Sequence, residues 1–171
     1  MKERNIITKP LMSQKGLTVM EVLLAAAILG IALLAIAEMF PTAYQTVSYG
    51  GQITRASALA QKMVEMIKGE PSFDNVLLYN NIDTRNPSSI PEASPPPGIN
   101  TIEDPSVNPP KGKIDKWADE VSTLPGGWGT VSVPSPGGTN NRLATVTVTV
   151  GWSGSWGTRT VQMVTMIAED T

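Results

Sequence analysis

Residues Leu17–Phe40 read LTVMEVLLAAAILGIALLAIAEMF, and from Val22 to Ala37 no polar side chain interrupts them. As a helix, Leu17 to Ala37 covers roughly 30 Å, the thickness of a bilayer's hydrocarbon core. A buried helix of a globular core is the competing reading. It is disfavoured because the rest of the chain supplies too few apolar residues to cover such a helix on every side. The N-terminal flank holds Lys2, Arg4, Lys9 and Lys15 against Glu3, and the next basic residue after it is Arg55. This asymmetry places the N-terminus in the cytoplasm and everything after Glu38 on the other side of the membrane, periplasmic or extracellular. A secretory signal would put a small-residue cleavage site after its apolar run, whereas Ala35, Ala37 and Glu38 lead into a segment that still reads as helix.

Glu21 needs an explanation. An unpaired carboxylate within an apolar span costs up to about 2.5–3.5 kcal/mol, depending on depth. Physics alone leaves two readings open: Glu21 sits at the interface and reaches toward water, or it has a partner.

The stretch Lys15–Glu21, KGLTVME, bears on that choice. It resembles the processing site of type IV prepilins and type II secretion pseudopilins. That family has a basic leader ending in glycine, a hydrophobic first mature residue, threonine close behind, glutamate fifth, and then a continuous apolar helix. Here these are Lys15, Gly16, Leu17, Thr18, Glu21 and the run from Val22. The resemblance implies that a membrane-embedded prepilin peptidase cuts between Gly16 and Leu17 and N-methylates Leu17, where the family usually has phenylalanine. It also implies that Glu21 of an incoming subunit pairs with the N-terminal amine of a neighbour, so that two charges are buried only when subunits are in register. Met12 begins a shorter leader than Met1 does, and both starts keep Lys15 and Gly16.

Beyond the span, Pro41 cannot donate an intrahelical hydrogen bond and is expected to bend or interrupt the helix near Ala37 to Phe40. Helicity resumes by Ala43 and is clear from Gln52 to Lys68. There Ile53, Ala56, Ala60, Met63 and Ile67 form a stripe, with Arg55, Lys62 and Glu65 on another face. Gly50 and Gly51 are expected to loosen the middle, and Lys68, Gly69 and Pro71 mark the end. Met63 and Met66 read as core rather than cofactor ligands.

Residues 70 to 113, with PEASPPPG and EDPSVNPPKG, lack periodicity and read as a long, flexible surface loop. Trp117 and Val121 place a short helix in Ile114 to Ser122. Asp115, Asp119 and Glu120 lie on it without a calcium-loop pattern and read as a solvated face. Leu124 to Val133 is a turn entering a strand, Leu143 to Val150 alternates apolar residues with threonine, and Thr160 to Ala168 alternates again. A three-stranded antiparallel meander follows, with Val146, Val148 and Val150 facing the Ile53 to Ile67 stripe. Trp152 and Trp156 are expected to pack at the strand ends near the glycine-rich connection.

The expected fold is therefore α+β, a long N-terminal helix packed on a small C-terminal antiparallel sheet. Its parts are a leader (1–16), an apolar span (17–40), an amphipathic spine helix (41–69), a proline-rich loop with a short helix (70–123) and a sheet head (124–171). This order, with ALAQKMVEMIKG and the closing strand pair, most resembles V-type minor pilins and I-type minor pseudopilins. The resemblance implies other pilin or pseudopilin subunits, the prepilin peptidase, the inner-membrane assembly platform and membrane lipid as partners. It also implies a role in a priming complex at the filament tip.

Composition narrows the alternatives. The 171 residues include no histidine and no cysteine, which removes imidazole acid/base catalysis, thiolate nucleophiles and ordinary zinc sites. No cofactor or metal is expected. Against a net charge of −2 for the chain, the basic leader leaves the body acidic, which argues against nonspecific nucleic-acid binding. Two other classes remain: a signal-anchored binding protein that is neither cleaved at Gly16 nor dependent on Glu21, and an exported enzyme relying on Ser, Asp, Glu and Lys. A DNA-uptake pseudopilin is a further variant of the filament reading.

Overall fold

The apolar stripe after Gln52 has the spacing of one helix face, and the fold buries it: Ala56, Ala60, Met63, Val64 and Ile67. A computed structural model describes residues 17–134, 143–154 and 157–169. The leader, with Lys15 and Gly16, and Trp156 lie outside the described residues. The chain divides into two compact units, Met1–Gln45 and Thr46–Thr171.

Helix α1 is Val19–Lys68, 50 residues. The interruption expected at Pro41 does not occur: the helix runs through it and through Gly50 and Gly51. A proline withholds one donor from the ladder, and hydrogen bonds on either side carry the helix past that one loss.

In the second unit, α2 (Phe73–Leu78), β1 (Ile82–Asp83), β2 (Ile102–Asp104), β3 (Lys111–Gly112) and α3 (Lys113–Ser122) precede three longer strands. These are β4 (Trp128–Ser132), β5 (Leu143–Gly154) and β6 (Gly157–Ala168). The main sheet is antiparallel throughout, in the order β1-β4-β5-β6. The expected meander β4-β5-β6 is present, and β1 adds a fourth strand beside β4. Among the described residues a second, separate sheet is the antiparallel pair β2-β3. The chain is thus α+β, with one long apolar N-terminal helix and a C-terminal antiparallel sheet.

The alternation of β5 determines its faces. Ala144, Val146, Val148, Val150 and Trp152 are buried, and Val161, Met163 and Ile167 of β6 stand on the same side. They join the α1 stripe and α3 in one core, where each large apolar side chain withdrawn from water contributes about 1.5–3 kcal/mol. Trp152 is not at the strand end, because β5 continues to Gly154 and carries it into the core.

Helix α3 is fixed by its buried Ile114, Trp117 and Val121. The Trp117 indole N–H donates to the Leu59 carbonyl at 2.9 Å. Its ring lies so close to Gly129 that a Cβ there would come within 2.2 Å of it. Lys62 pairs with Glu120 at 2.7 Å, and Arg55 donates to Thr123 at 2.9 Å.

Residues 70 to 113 are not a featureless loop, which corrects the sequence expectation. Val76, Tyr79, Ile82 and Ile99 belong to the core. The Tyr79 hydroxyl donates to Glu70 at 2.6 Å, and Lys113 pairs with the same carboxylate at 2.5 Å. The buried Asn100 amide donates to Pro91 O and Asp115 Oδ2 and accepts the Ile114 N–H, at 2.7, 2.8 and 2.8 Å. Such pins leave no hydrophobic period in the sequence.

Candidate membrane and assembly segment

Within the first unit, the helix begins just after Thr18. The Thr18 carbonyl accepts the N–H of Glu21 at 3.0 Å and that of Val22 at 3.2 Å, while Thr18 Oγ1 also accepts the Glu21 N–H at 3.2 Å. TVME is therefore the start of a capping arrangement, a threonine followed three residues later by glutamate. The sequence reading missed this local role although the pattern was there to find. Glu21 also lies in the first turn, where a carboxylate gains about 0.3–1 kcal/mol from the helix dipole.

The apolar run does not fold into a core. None of its most apolar stretch is buried. Leu17, Leu29, Ile31 and Leu34 are all largely exposed. This disfavours the buried-helix alternative, since a helix apolar on every side and covered by none of the described residues calls for lipid or other chains around it. By length and composition α1 is the one helix among the described residues able to cross a membrane. Glu21 and Glu38 are the only charged side chains between Leu17 and Thr54. No cation from the described part of the chain is available to Glu21 within that span.

In the second unit, the carboxylates weighed for calcium go to separate partners. Asp115 accepts from Gly112 N at 2.8 Å and from Asn100, Asp119 pairs with Lys111 at 2.5 Å, and Glu120 pairs with Lys62. Asp115 is thus a capping group at the start of α3 rather than part of a solvated face. Among the described residues no group of three His, Cys, Asp or Glu side chains is placed to hold a metal ion. Met63 is buried and Met66 partly so, both in the core.

A surface arrangement not foreseen from sequence lies at the β1 side of the sheet. The Arg85 guanidinium stands 4.3 Å above the Trp128 ring and binds Asp83 through Nη2 at 2.7 Å and Nε at 3.0 Å. Those hydrogen bonds hold the Asp83 carboxyl below its usual range. Trp128 in turn lies against Gly151, where a Cβ would come within 2.3 Å of the ring. The cation is satisfied twice from within the head, which marks the cluster as a brace on the sheet.

No family model, curated protein or solved structure matches this chain.

Proposed function

We propose that this chain is a minor pilin or pseudopilin subunit, cut between Gly16 and Leu17 by a prepilin peptidase, methylated at Leu17, anchored by residues 17–40 and assembled into a filament. The head lies on the periplasmic or extracellular side, and the other subunits are of the same kind. The observation that carries this reading is Glu21. It is a carboxylate in the first turn of a helix whose N-terminal apolar run is left exposed, directly behind the sequence Lys15-Gly16-Leu17-Thr18.

Cleavage would remove Lys15 and create an α-amino group at Leu17, four residues before Glu21. Either charge alone in hydrocarbon costs up to about 2.5–3.5 kcal/mol. An amine on one subunit and a carboxylate on the next satisfy each other at one register, and breaking such a buried pair costs about 3–5 kcal/mol. Two-body charge pairing thus turns an otherwise slippery apolar helix contact into a registered one.

A plain signal-anchored protein is the second reading, because Thr18 and Glu21 also cap α1. N-terminal sequencing and intact mass of the protein from native membranes, with Gly16→Val as control, separate the two. A mature chain beginning at methylated Leu17, absent in the variant, supports the filament subunit. A chain retaining Lys15 and Gly16 supports the simple anchor.

A further inference from the structure

The two edges of the head's sheet are finished in opposite ways. On the β1 side, side chains close the ladder. The Gly129 N–H donates to Thr84 Oγ1 and the Val133 N–H to Asn80 Oδ1, both at 2.9 Å. The Thr84 N–H returns a bond to the Gly129 carbonyl at 2.9 Å. One hydroxyl, Ser89 Oγ, accepts the Asp83 N–H at 2.8 Å and donates to the Asp83 carbonyl at 2.9 Å. β1 itself is two residues long.

The β6 side has none of these devices. β6 runs for 12 residues, GTRTVQMVTMIA, with Arg159 its single charge and no proline. Gly154 pairs with Gly157 across two residues, which makes that pair the hydrogen-bonded one closing the hairpin. The opposite edge of β5 agrees, because the Ser153 N–H turns away to the Pro125 carbonyl at 2.7 Å. Odd-numbered residues of β6 therefore bond to β5, and even-numbered residues from Thr158 to Ala168 turn their N–H and C=O outward. Among the described residues no strand meets them. Val161, Met163 and Ile167 on the core face are only partly buried, and Val164 and Met166 on the other face are 58% and 65% exposed. Long, weakly charged edges of this kind template the pairing of another strand.

We propose that β6 is a docking edge that accepts one extended strand from a different, non-identical subunit of the same filament, an inference that rests on the filament reading above. A row of alternating backbone donors and acceptors is satisfied by extended chain. A second copy of this protein is a poor donor. Its β1 edge is closed, so copies can join only β6 to β6 about a two-fold axis. A two-fold contact closes on itself after two copies, whereas identical subunits that repeat along a filament meet head to tail through unlike surfaces. The incoming strand carries apolar side chains at alternate positions, covering Val161, Met163 and Ile167, and an acidic residue opposite Arg159.

The chain has no cysteine, so single-cysteine variants report one position each. Thr160→Cys, Gln162→Cys and Val164→Cys, with Ser88→Cys on the closed side, are loaded with a short thiol-linked photo-crosslinker in native membranes, and adducts are mapped by mass spectrometry. The expected result is adducts from β6 positions only, on an alternating apolar segment of another chain that itself has a basic-Gly leader and an apolar helix carrying glutamate. Val164→Pro removes an outward N–H without touching the β5 ladder. It is expected to leave the melting temperature within about 5 °C and to cut adduct yield about tenfold, the effect of one hydrogen bond. Adducts between two copies of this chain, equal adducts from Ser88→Cys, or adducts with lipid alone overturn the docking edge. Chain cleaved at Leu17 that yields no β6 adduct overturns the docking edge and leaves the filament reading standing. Chain still carrying Gly16 overturns both.

Discussion

Glu21 is asked to do two things, and they can be separated at the level of one residue. Its backbone N–H is capped by Thr18, while its carboxylate has no cation near it between Leu17 and Thr54. Thr18→Val removes the cap and is expected to lower helix stability by about 1 kcal/mol, seen as fraying by circular dichroism in detergent, with filament incorporation retained. Glu21→Gln keeps a group able to cap but discards the charge. It is expected to insert into the membrane normally and to lose incorporation into sheared filaments by tenfold or more, since even about 1.4 kcal/mol is tenfold. Equal incorporation of Glu21→Gln and the natural chain would remove the pairing role.

Tyr79 offers a residue-scale test in the head. Burial, then the hydrogen bond to Glu70 and then its charge raise the phenol well above its ordinary value. The folded state keeps a proton that the unfolded chain releases, so this contribution is whole below about pH 10 and is lost as pH rises past it. Tyr79→Phe is expected to flatten the alkaline fall in melting temperature, while costing about 1 kcal/mol at neutral pH for the lost hydrogen bond.

At the scale of elements, what could be read in the sequence was what repeats. The α1 stripe, the Trp117 and Val121 pair of α3 and the threonine alternation of β5 all recur at the period of their element, so their buried faces were legible. Residues 70 to 113 have no period because their order comes from single polar pins, and Asn100 is the plainest of them. Asn100→Ala leaves the Ile114 N–H and the Pro91 carbonyl without their partner, and each buried orphan costs about 1–3 kcal/mol. The expected outcome is a lower melting temperature and faster amide exchange at Ile114. β1 was missed because two residues carry no alternation. The caps that close its edge come from Asn80, Thr84 and Ser89, whose roles depend on partners distant in the chain or on loop geometry. In the candidate segment, the spacing of Thr18 and Glu21 was legible as a helix start, and the bond that realises it, Glu21 N–H to Thr18 Oγ1, is what the structure adds.

Across the whole molecule, the buried core and the long exposed apolar run belong to different units. Every residue of the core cluster lies from Ala56 onward. Substitutions in residues 17–45 are therefore expected to leave the near-ultraviolet signal of Trp117 and Trp152 and its thermal midpoint unchanged, even where they abolish assembly. A shift of that midpoint in Glu21→Gln would mean that the two units share stability.

The closed β1 edge has a stoichiometric consequence. Strand addition gives this head a valence of one: a neighbour can join at β6, and nothing can follow on the far side. Mixed with a bivalent head in a sheet-extending array, such a chain ends the array, so its copy number sets how many arrays exist and, for a fixed supply of bivalent heads, how short each becomes. A counting experiment on isolated complexes should accordingly find one copy per array, whatever the ratio at which the subunits are expressed.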